Sequence, residues 1–132
     1  MRKLILLSGA PGSGKSYFSK SLRKAKNNSH VYIVSSDSIR NLVCGTQSDL
    51  TKDKVVWEIF YEFPKAYSKD PDAIVILDCT NTRSKYRLDT LERMKPYFDE
   101  FTLVLFNLPK EVIMKQNVNR EYPVPTEAVE HF

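Results

Sequence analysis

Residues 3–16 read KLILLSGAPGSGKS, and the stretch from Gly9 to Ser16 decides the fold. Gly9, Gly14, Lys15 and Ser16 satisfy G-x-x-x-x-G-K-(S/T), with Gly12 inside and Ala10, Pro11 and Ser13 filling the loop. The spacing has a chemical reason. Glycines let the backbone curl until successive N–H groups point at one phosphate. Those groups lead into a helix N-terminus, which is electropositive. The Lys15 ammonium has the reach for β- and γ-phosphates, and the Ser16 hydroxyl is a ligand for Mg²⁺. The apolar run before the loop reads as a strand, and Lys15 to Lys26 reads as a helix after it. Strand, loop and helix are the context this Walker A pattern requires. The expected ligand is ATP with Mg²⁺, held by all eight residues from Gly9 to Ser16. A glycine turn with no ligand gives no reason for Lys-Ser to follow it.

Outward from the loop, three more apolar runs rich in β-branched residues appear: Val31–Val34, Ala73–Asp78 and Phe101–Asn107. Near-continuous apolar strands suit a parallel sheet covered on both faces. Helical patterns lie between them, at Asp37–Val43, Lys52–Tyr67 and Arg83–Tyr97. A further helix is expected over Lys110–Asn119, and a last short one from near Thr126. The alternation predicts an α/β chain of three layers: a small, mostly parallel four-stranded sheet flanked by helices. The 132 residues make one domain, 1–132, with enough core to need no disulfide or structural metal.

Composition narrows the class. Cys44 and Cys79 lack metal-site spacing and read as reduced thiols of a cytoplasmic chain. Leu4–Leu7 is too short for a signal sequence, and no apolar run approaches the roughly 18 residues of a membrane span. A net charge of +4 permits nucleic-acid binding without demanding it. Oligomeric state is left open.

The loop fixes a triphosphate but not an acceptor. The second strand ends in SSDSIR, residues 35–40. In open α/β sheets ligands bind at the carboxyl ends of strands, which brings Ser36, Asp37 and Arg40 toward the phosphate loop. An ionised Asp beside a γ-phosphate is able to take the proton of an attacking hydroxyl. Arg40, three residues on, shares its helix face and suits bidentate binding of an acceptor phosphate. The plainer alternative is an ordinary helix cap at Ser-x-Asp with a solvated arginine. Asp78 closes the third strand as AIVILD, the pattern in which a carboxylate orders Mg²⁺; a turn-capping Asp is the alternative. Thr80 and Asn81 follow on the same rim. The aromatics Trp57, Phe60, Tyr61 and Phe63 read as core packing rather than as a base-stacking platform. Of the basic groups at Lys20–Lys26, Lys52, Lys54 and Arg83–Arg87, most read as solvated faces.

Taken in order, GAPGSGKS, SSDSIR, ILDCTN with Arg87, and RE-x-PVP resemble the polynucleotide 5′-hydroxyl kinase family of P-loop kinases, from Gly9 to about Phe132. The resemblance implies Asp37 as general base on a 5′-hydroxyl and Arg40 on the acceptor's 3′-phosphate. It assigns Asp78, Thr80, Asn81 and Arg87 to the third-strand motif and the helix after it. It assigns Arg120 to a lid over the triphosphate, where it stabilises transition-state charge. A second lid arginine falls on Gln116, beside Lys115. No D-x-D-G-T motif is present, so a kinase alone is expected, with no phosphatase domain. Two other readings stay open. One is a small-molecule kinase acting on a nucleoside, nucleotide or sugar. The other is a nucleotide-binding module without transfer activity.

Overall fold

A computed structural model of the chain describes residues 1–10, 12–27, 29–46, 49–79, 84–106 and 128–131. The element order is β1 (Lys3–Gly9), α1 (Lys15–Ala25), β2 (Val31–Ser35), α2 (Ser36–Cys44), α3 (Asp53–Tyr67), β3 (Ile74–Asp78), α4 (Ser84–Met94), β4 (Glu100–Phe106) and β5 (Ala128–His131). The sheet runs β2-β3-β1-β4-β5. The first four strands are mutually parallel, as expected, and β5 pairs antiparallel with β4.

The sheet therefore carries one strand more than the sequence suggested. Instead of the short helix expected from near Thr126, residues 128–131 form an edge strand. β4 would otherwise present a bare row of N–H and C=O groups, and pairing with β5 satisfies them. Local propensity lost to this tertiary demand. The expected helix over Lys110–Asn119 lies outside the described residues.

The central strand shows why the sheet is three layers deep. Successive side chains of a strand point to opposite faces. Leu4 and Leu6 join Val56 and Phe60 of α3, Ile39 of α2 and Met94 of α4 on one face. Ile5 and Leu7 join Phe18 and Leu22 of α1 on the other. Phe60 is almost fully buried, and Trp57 and Tyr61 pack against the same cluster, so these three are core, as their spacing implied, whereas Phe63 lies on the exposed side of α3 and is not. Burying a side chain of this size stabilises the fold by roughly 1.5–3 kcal/mol.

The order of strand use matters for function. The chain lays β2 and β3 to one side of β1 and β4 to the other. That reversal opens a crevice at the carboxyl ends of the central strands, where such folds hold ligands. Register makes the rim specific. Ser35, Asp78 and Leu7 are level across β2, β3 and β1, and Gly9 faces Phe106 of β4.

Candidate functional site at the carboxyl edge of the sheet

The phosphate loop departs from β1 at Gly9. A Cβ built on Gly9 would lie 2.8 Å from Phe106 Cβ and 2.8 Å from Ser13 Oγ, closer than side chains tolerate, so the loop can leave here only with glycine. Ala10 accepts from the Ser13 N–H at 3.1 Å, which tightens the turn. Gly12 and Gly14 both have positive φ, 81° and 102°. Gly14 is the N-cap of α1 in the left-handed region, and no side chain among the described residues bonds the helix end. Caps are commonly supplied by Ser, Thr, Asp or Asn, whose oxygens accept from the first N–H groups. Here the electropositive end of α1 is left for an anion, which fits a phosphate group. Ser13 is fully buried, and its Oγ has no partner among the described residues.

Lys15 is the first residue of α1 and is buried. Its Nζ donates to the carbonyls of Gly9 at 2.9 Å and Ala10 at 3.0 Å. The ammonium is thus folded over the loop it follows. Burial pushes its pKa down, against the upward pull of Asp78, Cys79 and Asp37. Ser16 is exposed, and its hydroxyl donates to Asp78 Oδ2 at 3.1 Å. Asp78 itself is buried at the end of β3. Burial raises its pKa, opposed by the Ser16 bond and the Lys15 charge and assisted by Asp37. A hydroxyl and a carboxylate in contact at a triphosphate-binding loop are the oxygen donors a Mg²⁺ ion takes, so the residues fit that metal. Cys79, the next residue, has its thiol pushed up to about 12 by burial and is not nucleophilic near neutrality.

The second cluster is on α2. Ser35 caps it, accepting from the Ser38 N–H at 3.3 Å. The cap reading of this segment is therefore correct for Ser35, and it leaves Asp37 to another use. Ser36 is buried at the first position, Asp37 is exposed, and Arg40 is buried. Asp37 acts electrostatically on Lys15, Asp78 and Cys79, which ties α2 to the phosphate-loop edge. Arg40 is no solvated surface residue. Its Nη1 donates to Asp37 Oδ1 at 3.5 Å and its Nε to Asp53 Oδ1 at 3.2 Å. Asp53, in the first turn of α3, was not legible as a site residue, because an acidic residue there already has a local use against the helix dipole.

Arg87 extends from α4 to donate to Ser8 Oγ at 3.4 Å, beside the start of the loop. Gly9, Ala10, Gly12, Ser13, Gly14, Lys15, Ser16, Ser36, Asp37, Arg40, Asp78 and Arg87 thus come from the elements that meet at one edge. Pro11, Thr80, Asn81, Gln116 and Arg120 lie outside the described residues. Among the expected basic groups, Arg23 is committed elsewhere. Its Nε and Nη2 both donate to Val31 O, stapling α1 to β2.

Residues 4–132 match the family model AAA_33, described as an AAA domain. The chain belongs to this family of P-loop kinase domains. Among curated proteins, an L-seryl-tRNA(Sec) kinase of Methanococcus maripaludis is 26% identical over 141 residues, covering 98% of this chain and 50% of the relative. Among solved structures, a chain of a Pnkp1/Rnl/Hen1 RNA repair complex superposes with a TM-score of 0.77 at 26% identity, covering 90% of this chain and 37% of that one. The Mycobacterium tuberculosis APS kinase CysC, in complex with AMPPNP and APS, shares the fold at 16% identity with a TM-score of 0.62, covering 89% of this chain and 69% of that one. The chain spans about half the length of the curated relative and less of the repair-complex chain. The family is one of nucleotide-binding phosphotransferases, and no helix among the described residues is long and apolar enough to cross a membrane.

Proposed function

We propose that this chain transfers the γ-phosphate of ATP to a hydroxyl, most directly the 5′-hydroxyl of a nucleic-acid end, with Asp37 as general base. The observation that carries the reading is the exposed Asp37 carboxylate in the first turn of α2, two residues past Ser35, which is level with the Asp78 that Ser16 bonds at the phosphate loop. A phosphate acceptor is already ionised near neutrality and has no need of such a base, whereas a hydroxyl does. The acceptor oxygen forms the new P–O bond, the bridging bond to the γ-phosphorus breaks, ADP leaves, and Asp37 takes the hydroxyl proton. Lys15 neutralises charge on the β- and γ-phosphates. Mg²⁺, which Ser16 and Asp78 would hold, supplies charge neutralisation on the triphosphate when bound. Arg40 binds the acceptor's nearest phosphate, with Ser36 and Arg87 on the acceptor side, and the family resemblance alone assigns Thr80 and Asn81 to acceptor contact and Arg120 to charge stabilisation. Likeness to a chain of an RNA repair complex supports a nucleic-acid acceptor. Similarity to an L-seryl-tRNA(Sec) kinase favours a second reading with the same chemistry, an acceptor hydroxyl carried on an RNA-linked amino acid.

The test is a transfer assay with Mg²⁺-ATP and a panel of 5′-hydroxyl RNA and DNA oligonucleotides, a seryl-RNA, nucleosides and sugars. Transfer to an oligonucleotide end, abolished in Asp37→Asn with ATP binding intact, supports the first reading. Transfer confined to seryl-RNA supports the second. Transfer only to a free small molecule, or none with ATP binding intact, overturns both.

A further inference from the structure

Arg40 is held from two helices at once. Its side chain is 9% exposed, against 66% for Asp37 and 39% for Asp53. A buried guanidinium needs a compensating anion, and the shorter of its two bonds goes to Asp53. The Asp37 contact, at 3.5 Å, is at the limit of a hydrogen bond and weak. Asp37 sits on the same helix as Arg40, three residues away, whereas Asp53 approaches from α3. Neither bond uses Nη2.

We propose that Asp53 is a positioning residue for the acceptor phosphate. It anchors Arg40 by Nε, which fixes the plane of the guanidinium, turns the Nη edge toward the acceptor side, and keeps the full positive charge from settling on Asp37. A fork fixed at Nε loses less rotamer freedom when it binds a phosphate oxygen pair. Without Asp53, the one carboxylate remaining on Arg40 among the described residues is Asp37. The guanidinium then turns toward the proposed base, and both partners of the acceptor are compromised together. This inference rests on the hydroxyl-kinase reading above.

The experiment compares a nucleoside 3′-monophosphate with the same nucleoside lacking phosphate, as 5′-hydroxyl acceptors, in the wild type, Asp53→Asn and Asp53→Glu. The wild type is expected to prefer the phosphorylated acceptor. Asp53→Asn is expected to raise KM for that acceptor by about tenfold or more, the loss set by one charge-assisted hydrogen bond. KM for the unphosphorylated acceptor and for ATP should move far less, and Asp53→Glu should recover part of the preference. A structural role in starting α3 would instead change all three KM values together. A preference that persists in Asp53→Asn, or a wild type that transfers without any preference, overturns the inference and leaves the kinase reading standing. A wild type that transfers to no hydroxyl overturns both. Loss of ATP binding or of a cooperative thermal transition in both Asp53→Asn and Asp53→Ser would make Asp53 a folding residue and overturn the inference as well.

Discussion

The Ser16 hydroxyl donates to Asp78 Oδ2 at 3.1 Å, joining the first turn of α1 to the end of β3 across 62 positions of sequence. The bond ties the loop that grips a triphosphate to the carboxylate that would order its metal. It exists because β3 lies directly beside β1 with Leu7 level with Asp78.

Asp78 itself gives a test with a definite sign. Its folded pKa is raised above the ordinary 3.8, chiefly by burial. Folding therefore favours the neutral form, and that contribution is full below 3.8 and lost as pH rises through the folded value. We expect Asp78→Asn, a neutral isostere, to be more stable than the wild type toward urea at neutral pH. The gain should vanish as the pH falls to about 3. The same variant should need roughly 10–100-fold more Mg²⁺ for half-maximal transfer. Equal stability of the two proteins at neutral pH would contradict the burial argument.

Lys15→Met should retain the fold and lose the donor. Its Nζ bonds are to loop carbonyls, and the helix behind it packs through Phe18 and Leu22. We expect ATP affinity, read by isothermal titration calorimetry, to fall by about 10–100-fold, the worth of one strong charge-assisted contact. Transfer should fall below detection, with the melting temperature within a few degrees of wild type.

Gly9→Ala is the opposite case, a fold defect that reaches the site. The added carbon would press on Phe106 Cβ and the buried Ser13 hydroxyl. Overpacking of this kind costs about 1–3 kcal/mol, and the loop geometry should suffer with it. Urea unfolding should show a lower midpoint at unchanged slope.

A fourth test lies at the other end of the sheet. His30 Nδ1 meets Asp70 Oδ2 at 2.7 Å, and Tyr32 Oη donates to the same oxygen at 2.8 Å. The bond raises the His30 pKa above 6.5 and holds Asp70 at about 2. The His30 contribution is full below 6.5 and fades as pH rises through its folded value. The Asp70 contribution is full above 3.8 and is lost as pH falls through about 2. The pair is thus worth most between those two ordinary values. Asp70→Asn should move the NMR titration midpoint of His30 down toward 6.5. His30→Asn, which tolerates the φ of 61° at that residue, should lose stability mainly inside the same window.

What the sequence could and could not disclose follows from the range of the forces involved. β1, the loop and α1 were legible because the apolar run and the glycines act locally. The parallel strands were legible because burial on both faces leaves continuous apolar text. Residues 128–131 were not, since Ala, Val, Glu and His carry no strand pattern and the need they meet belongs to β4. Lys15, Ser16 and Asp78 could be named because motif spacing fixes them. Asp53 could not, because its bond to Arg40 is set by how α2 packs on α3.

The fastening of His30 to Asp70, together with that of Arg2 to Asp99, sits at the amino ends of the strands, away from the phosphate loop. The links that fasten the strand starts and the groups that would handle the phosphate therefore occupy opposite poles of one small sheet. An engineer could reinforce the first pole, by tightening those links, with little penalty at the second. Natural drift could equally retune the acceptor rim while the lower fastenings keep the scaffold intact.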